Sequence, residues 1–206
     1  MNNPTKYLLC VATLFMLSEL VASNLFAETI HDAARSGDLE QIQRLVIDGV
    51  NVNSGNANDE TPLTVAALAG QGEIVNYLLQ RGADIEARTA NGLTPLHAAA
   101  YVGDVKIVKL LLAKGAPVNN NDNRFGVQPL HLAAEENHLV VVQVLLDHGA
   151  DPTSFEANGY TPLSRAGWRE HWDVVNLLLA NGARCQDAEK VGEWLYNECT
   201  KRVKKS

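Results

Sequence analysis

Cysteine is scarce in this chain. Three residues in 206 are too few for a disulfide-stapled scaffold or a four-thiolate zinc ribbon. Aromatic side chains make up only 6%, and the apolar mass is mostly Ala, Leu and Val. Such a core is built from small, closely packed helices rather than around one large aromatic centre. Basic charge is also short: 17 Lys and Arg face 24 Asp and Glu, a net charge of −7. Phosphate binding needs a basic face, so nucleic acid is excluded as the main ligand. A spanning helix needs about 20 apolar residues, whereas the apolar stretch Tyr7–Leu17 is stopped by Glu19. What remains is 46% hydrophobic and 20% charged residues, an ordinary globular composition that excludes a disordered linker.

The charge is unevenly placed. Lys6 and Glu19 cancel in the first 27 residues, and Lys201, Arg202, Lys204 and Lys205 give the tail four positive charges. Residues 28–200 therefore carry −11, an acidic body followed by a basic helix end, where cations suit the helix dipole. At the other end, Lys6, the apolar run and small residues at Ala22-Ser23 and Ala27 have the tripartite form of a secretory signal peptide. The reading is a leader over residues 1–27, cleaved after Ala27 or alternatively after Ser23. It implies a periplasmic or secreted protein, with no membrane span once it is removed.

A period of 33 residues organises the rest. Gly49, Gly82, Gly115, Gly149 and Gly182 each follow a Leu- or Val-rich run, as a helix stop does. In a second phase, Thr61-Pro62-Leu63, Thr94-Pro95-Leu96, Gln128-Pro129-Leu130 and Thr161-Pro162-Leu163 recur with the same spacing. Thr is an N-cap and Pro is tolerated at the first helical position. Each unit therefore starts a helix at Thr-Pro, turns, runs a second helix and stops at Gly. The Asn-, Asp- and Gly-rich stretch before the next Thr-Pro carries hairpin-loop chemistry.

These residues resemble the ankyrin repeat. Its motifs Thr-Pro-Leu-His, Ala-Ala, Ile-Val-x-Leu-Leu-Leu and Gly-Ala-Asp stand at Thr94–Ala99, Ile107–Leu112 and Gly149–Asp151. The resemblance implies an all-α solenoid of about five helix-turn-helix repeats with β-hairpin loops. Repeats at about 28–55, 56–88, 89–121, 122–155 and 156–185 would form a domain over 28–185. Residues 186–206 would follow as a C-terminal capping helix and basic tail. The first unit lacks Thr-Pro-Leu, Gln128 replaces a capping Thr, and Glu170 replaces the usual inter-helix Gly, which leaves that turn's geometry open. Trp194, Leu195 and Cys199 are expected to face the core, with Val191 and Val203 nearby.

Chemistry is hard to find. His31, His97 and His131 fill the motif slot, where the family's imidazole bonds across hairpin and cap, and His138 and His171 fill a second recurring slot. No two histidines are four apart, and no Cys-x-x-Cys, phosphate loop or nucleophile elbow occurs. We therefore expect no catalytic residues, no metal and no cofactor. A single helix over 187–199 would separate Cys185 from Cys199 by about 18 Å. A disulfide needs Cα atoms within about 7 Å. No bridge is expected unless the chain breaks at Gly192. Cys199 then reads as a buried hydrophobe and Cys185 as a candidate reactive thiol.

The resemblance implies a non-enzymatic protein that binds a partner along a concave face of hairpin tips and inner helices. The positions that it leaves free are here Leu68, Leu93, Tyr101, Val102, Arg124, Phe125, Val127, Glu135, Glu136, Tyr160, Trp168 and Arg169. Aromatics and Arg are common binding hot spots, and Glu135 and Glu136 suggest a segment with apolar anchors and some basic character. The expected state is a monomer that binds a protein. Alternatives are a secreted effector engaging host proteins, or a thiol-dependent redox protein using Cys185.

Overall fold

The computed structural model describes residues 30–204. The expected leader with both cleavage points, Cys10, and the end of the basic tail lie outside the described residues. Helix α1 covers residues 30–36. It is followed by α2 (Leu39–Ile47), α3 (Pro62–Leu68), α4 (Gly72–Gln80), α5 (Pro95–Val102), α6 (Val105–Ala113), α7 (Pro129–Glu135), α8 (Leu139–Asp147), α9 (Pro162–Trp168) and α10 (Trp172–Ala180). Two further helices, α11 (Ala188–Val191) and α12 (Glu193–Val203), end the chain. No strand occurs among the described residues, so the architecture is the expected all-α repeat solenoid. Inner helices α3, α5, α7 and α9 pack side by side, as do outer helices α4, α6, α8 and α10 behind them.

The local chemistry follows the motif. Pro62, Pro95, Pro129 and Pro162 open the inner helices. The backbone amides of Thr94 and Gln128 donate to Nδ1 of His97 and His131 three residues on, while the Gln128 side-chain oxygen has no hydrogen-bond partner among the described residues, so Gln128 takes the N-cap position without the side-chain cap of a Thr. Ala34, Ala67, Ala100 and Ala134 are fully buried where neighbouring inner helices meet. Small side chains allow that approach. The left-handed turn between inner and outer helix recurs at Gly37, Gly70, Gly103, Asn137 and Glu170. Glu170 keeps the left-handed geometry of the glycines at this position, at φ 60°, where a side chain costs about 1 kcal/mol.

Side-chain donors tie each repeat to the next. The Thr94 amide donates to His97 Nδ1 at 3.2 Å, which leaves the proton on Nε2, and Nε2 donates to the Val127 carbonyl at 3.0 Å. His31 Nε2 bridges the Ser54 and Glu60 carbonyls at 3.0 and 2.9 Å. The carbonyls of Tyr160 and Ser154 face His131 in the same way, although its Nε2 makes no bond of normal geometry to them. On the outer layer, Gln71, His138 and His171 donate to the Arg35, Tyr101 and Glu135 carbonyls at the ends of the preceding inner helices. The recurring histidines therefore do structural work. His148, off the pattern, bonds locally to the Val144 carbonyl.

Hairpin tips form a ladder of their own. The Ala90, Arg124 and Ala157 amides donate to the Asn58, Asn91 and Phe125 carbonyls of the preceding hairpin. The next acceptor in register is the Asn158 carbonyl, and Lys190 Nζ donates to it where the amide of a further hairpin would. Gln186 adds bonds to Thr161 and to the Gly159 carbonyl. The C-terminal segment thus imitates the edge of a further repeat.

Three expectations about that segment are corrected. Residues 187–199 are not one helix. Gly192, at φ 86° and ψ 150°, takes a conformation open essentially to glycine alone and breaks the chain between α11 and α12. The break folds α12 back, so Cys185 and Cys199 form a disulfide with Cα atoms 5.8 Å apart. Cys185 is therefore not a free reactive thiol. Leu195, Cys199 and Val191 are buried as expected, but Trp194 and Val203 are exposed. Trp194 instead packs on Trp172, over which the Arg202 guanidinium lies at 3.8 Å. Gly167 stands where earlier repeats have Ala. A Cβ there would lie 2.4 Å from Leu195 Cδ1, so the last inner helix is shaped to receive α12.

Two predictions follow from this architecture. Glu170→Gly should relieve the left-handed strain and stabilise the fold by up to about 1 kcal/mol, read as a raised melting temperature. Burial also pushes the pKa values of His97 and His131 down from 6.5 to about 4, so the fold holds both rings neutral. The unfolded chain then takes up protons first as pH falls, and stability is lost from pH 6.5 down to about 4. Between pH 7.5 and 5 the loss should be about 2 kcal/mol per histidine in urea denaturation. A His97→Gln variant should show roughly half of the wild-type slope. Equal stability of the wild type at the two pH values would refute the linkage.

Candidate partner-binding face

Each inner helix ends in two residues that its own repeat does not bury. The packing that holds Leu63, Val65 and Ala66 inside turns Leu68 outward, and the equivalent turn of α5 presents Tyr101 and Val102. Leu68 is 45% exposed, Tyr101 48%, Val102 39% and Trp168 40%. From the hairpins, Phe125 is 45% exposed and Arg124 is also accessible, held there by the inter-hairpin amide bond. The structure places these residues along the inner-helix ends and hairpin tips.

Other expected positions are engaged or covered. Val127 is buried at 4% exposure and is corrected from a contact to a packing residue; its carbonyl accepts from His97 and Asn123. Leu93 is half-buried. Tyr160 is half-buried, edge-on to Trp168 with ring centroids 4.5 Å apart, and Lys190 Nζ lies 4.6 Å from the Tyr160 ring centroid. Trp168 Nε1 donates to the Val191 carbonyl at 3.3 Å. Tyr160 and Trp168 thus belong partly to the C-terminal closure.

The acidic pair behaves unevenly. Glu135 binds Arg165 and, at 3.0 Å, Arg169, while Arg165 also binds Glu156, whose side chain is 1% exposed. Burial opposes the Glu135 charge, but hydrogen bonds from Arg165 and Arg169 outweigh it and hold the carboxyl below its usual value. Burial likewise works against Arg165, and its two carboxylates raise its pKa nonetheless. Glu135 and Arg169 are therefore committed to each other across the repeat junction. Glu136 has no ion-pair partner among the described residues.

Several exposed or anchoring residues escaped the sequence reading. Phe155, at a hairpin start, is 61% exposed. Val140, 59% exposed on α8, stands where the other outer helices carry Glu40, Glu73, Lys106 and Asp173. That alternation was a usable signal for Val140. Lys190 could have been found by extending the hairpin spacing one step beyond Asn158. Phe155 lies at a position with no motif preference, and nothing in the sequence marks it.

Among the described residues no group of three His, Cys, Asp or Glu side chains could hold a metal ion. No described helix is long and apolar enough to cross a membrane. Residues 30–122 and 117–189 match the family model described as ankyrin repeats (3 copies). No curated protein matches the sequence.

The ion cluster can be tested. Arg165→Met removes the one cation paired with Glu156 among the described residues and leaves a buried carboxylate uncompensated. The expected cost is about 3–5 kcal/mol of stability by denaturant titration. A loss under 1 kcal/mol would mean that water reaches Glu156 and that the cluster is of the weak, solvated kind.

Proposed function

The chain belongs to the ankyrin-repeat family, and we propose that it is a non-enzymatic protein that captures a partner protein on its concave face and that it works outside the cytoplasm. Ankyrin repeats are protein-interaction modules, generally without catalytic activity. The observation that carries the binding reading is the row of exposed Leu68, Tyr101, Val102 and Phe125 on a face whose surroundings are otherwise well packed. Large apolar and aromatic groups left in water at the ends of rigid helices are suited to insert into, or receive, a partner's apolar side chains.

The partner is a protein segment with apolar anchors. The case for basic character now rests on Glu136, because Glu135 is neutralised internally. The location is supported by two independent features: the signal-like N-terminal sequence and the Cys185–Cys199 disulfide. Disulfides persist in oxidising compartments and are rare in the cytosol. That bridge also weighs against a redox function resting on a free Cys185 thiol. Monomer is the proposed solution state.

Two measurements test the reading. Intact mass of the natively expressed protein should begin at Glu28 or Asn24, in an extracytoplasmic fraction; full-length protein in the cytoplasm would overturn the location. Tyr101→Ala should leave the melting temperature within about a degree, since the ring is half exposed, and weaken capture of the cross-linked partner at least tenfold. Trp168→Ala is the contrasting variant, because it also removes a contact to the cap and should lower stability. If Tyr101→Ala binds as well as wild type, the concave face is not the binding surface.

A further inference from the structure

The C-terminal closure is held by one covalent bond whose two ends differ in accessibility. Cys199 is 1% exposed on the buried side of α12. Cys185 is half-buried and lines an open cleft of about 650 Å³ between the last hairpin and the cap, together with Phe155, Gly159, Arg184, Asp187 and Lys190. The bond joins the loop after α10 to the middle of α12. Every other tie is non-covalent: the Lys190 and Gln186 hydrogen bonds, Trp168 to Val191, the Leu195–Gly167 packing, and the Trp172–Trp194–Arg202 stack.

We propose that the Cys185–Cys199 disulfide is a thiol–disulfide exchange site and serves as a redox latch on the C-terminal cap. The co-reactant is a small or protein dithiol. Its thiolate enters the cleft and attacks Sγ of Cys185, which breaks the internal bond and forms a mixed disulfide. Cys199 leaves as thiolate and takes a proton. The second thiol of the reductant then attacks the mixed disulfide and leaves as the oxidised disulfide, while Cys185 is released and protonated. Two electrons pass from the dithiol to the protein. Attack begins at Cys185 because, of the two half-cystines, it is the one that lines the cleft, while Cys199 is buried.

Opening the latch acts on the binding face. The cap covers Tyr160 with Lys190, satisfies the Trp168 indole and fills the groove at Gly167. A freed α11–α12 segment dissociates from these residues more often, exposing the last inner helix and the final hairpin carbonyl. Losing a cross-link across 14 residues changes the opening equilibrium by roughly a hundredfold. This device depends on the cap geometry and not on the identity of any partner.

Amide hydrogen exchange on the full chain, with and without dithiothreitol, tests the latch. Under native conditions the reduction rate should rise in proportion to dithiothreitol concentration, with labelling at Cys185 and Cys199. Exchange in α12 should accelerate roughly a hundredfold while α3 to α8 stay unchanged. A Cys185→Ala/Cys199→Ala variant should match the reduced protein and ignore reductant. Reduction that plateaus at the rate of global unfolding would overturn the exchange site. Native reduction without faster exchange in α12 would overturn the latch. If the double variant does not fold, the wild-type comparison still decides both points.

Discussion

No repeat in this protein satisfies its own backbone. The carbonyls at the end of an inner helix and at the base of a hairpin would be left without donors, and the donors come from neighbouring units. His97 reaches forward to the Val127 carbonyl, and His138 reaches back to that of Tyr101. An unpaired buried polar group costs as much as a lost hydrogen bond, so this exchange fixes the register of the whole stack. It also explains why the histidines recur at the repeat spacing. His97 is a two-ended connector that accepts from the Thr94 amide at its own N-cap and donates to the adjacent repeat. The role requires a neutral ring, and burial keeps it neutral.

A stack built on borrowed hydrogen bonds has a problem at its end. Among the described residues no further repeat stacks on the last one, whose apolar side would otherwise face water. The C-terminal segment solves this with side chains rather than with another repeat. Lys190 supplies the missing hairpin donor, Gln186 bonds to Thr161 and Gly159, and Leu195 fits the space left by Gly167. The segment is short and could hardly hold itself in place by area alone. The disulfide compensates by limiting how far α12 can depart from the loop that follows α10.

The same arrangement shapes the candidate binding face. Once the inner helices are locked in register, their ends present side chains at fixed spacing on a rigid support. Leu68, Tyr101 and Phe125 remain open to water. Toward the C-terminus the face is progressively committed to internal contacts: Glu135 to two arginines, Tyr160 to Lys190 and Trp168 to Val191. The free surface therefore lies over the middle repeats, and the final repeat is where binding and end closure meet.

Sequence alone determined the repeat period, the helix starts at Thr-Pro and Gln128-Pro129, the stops at glycine and the structural slots of the histidines. Each is a local rule repeated in phase, so a single chain contains several copies of the same evidence. It also determined that the inner-helix ends are outside the packing motif, which is why Leu68, Tyr101 and Trp168 could be named. Tertiary structure decided what no local rule contains. Val127 and Phe125 lie two residues apart, yet one is buried and the other exposed, because only the neighbouring hairpin settles which is covered. Glu135 reads as a free acid until Arg165 and Arg169 arrive from the next repeat. Cys185 and Cys199 looked unreachable along a straight helix. One glycine at φ 86° folded that helix back and brought them together, since long-range proximity follows from the path of the chain and not from spacing along it.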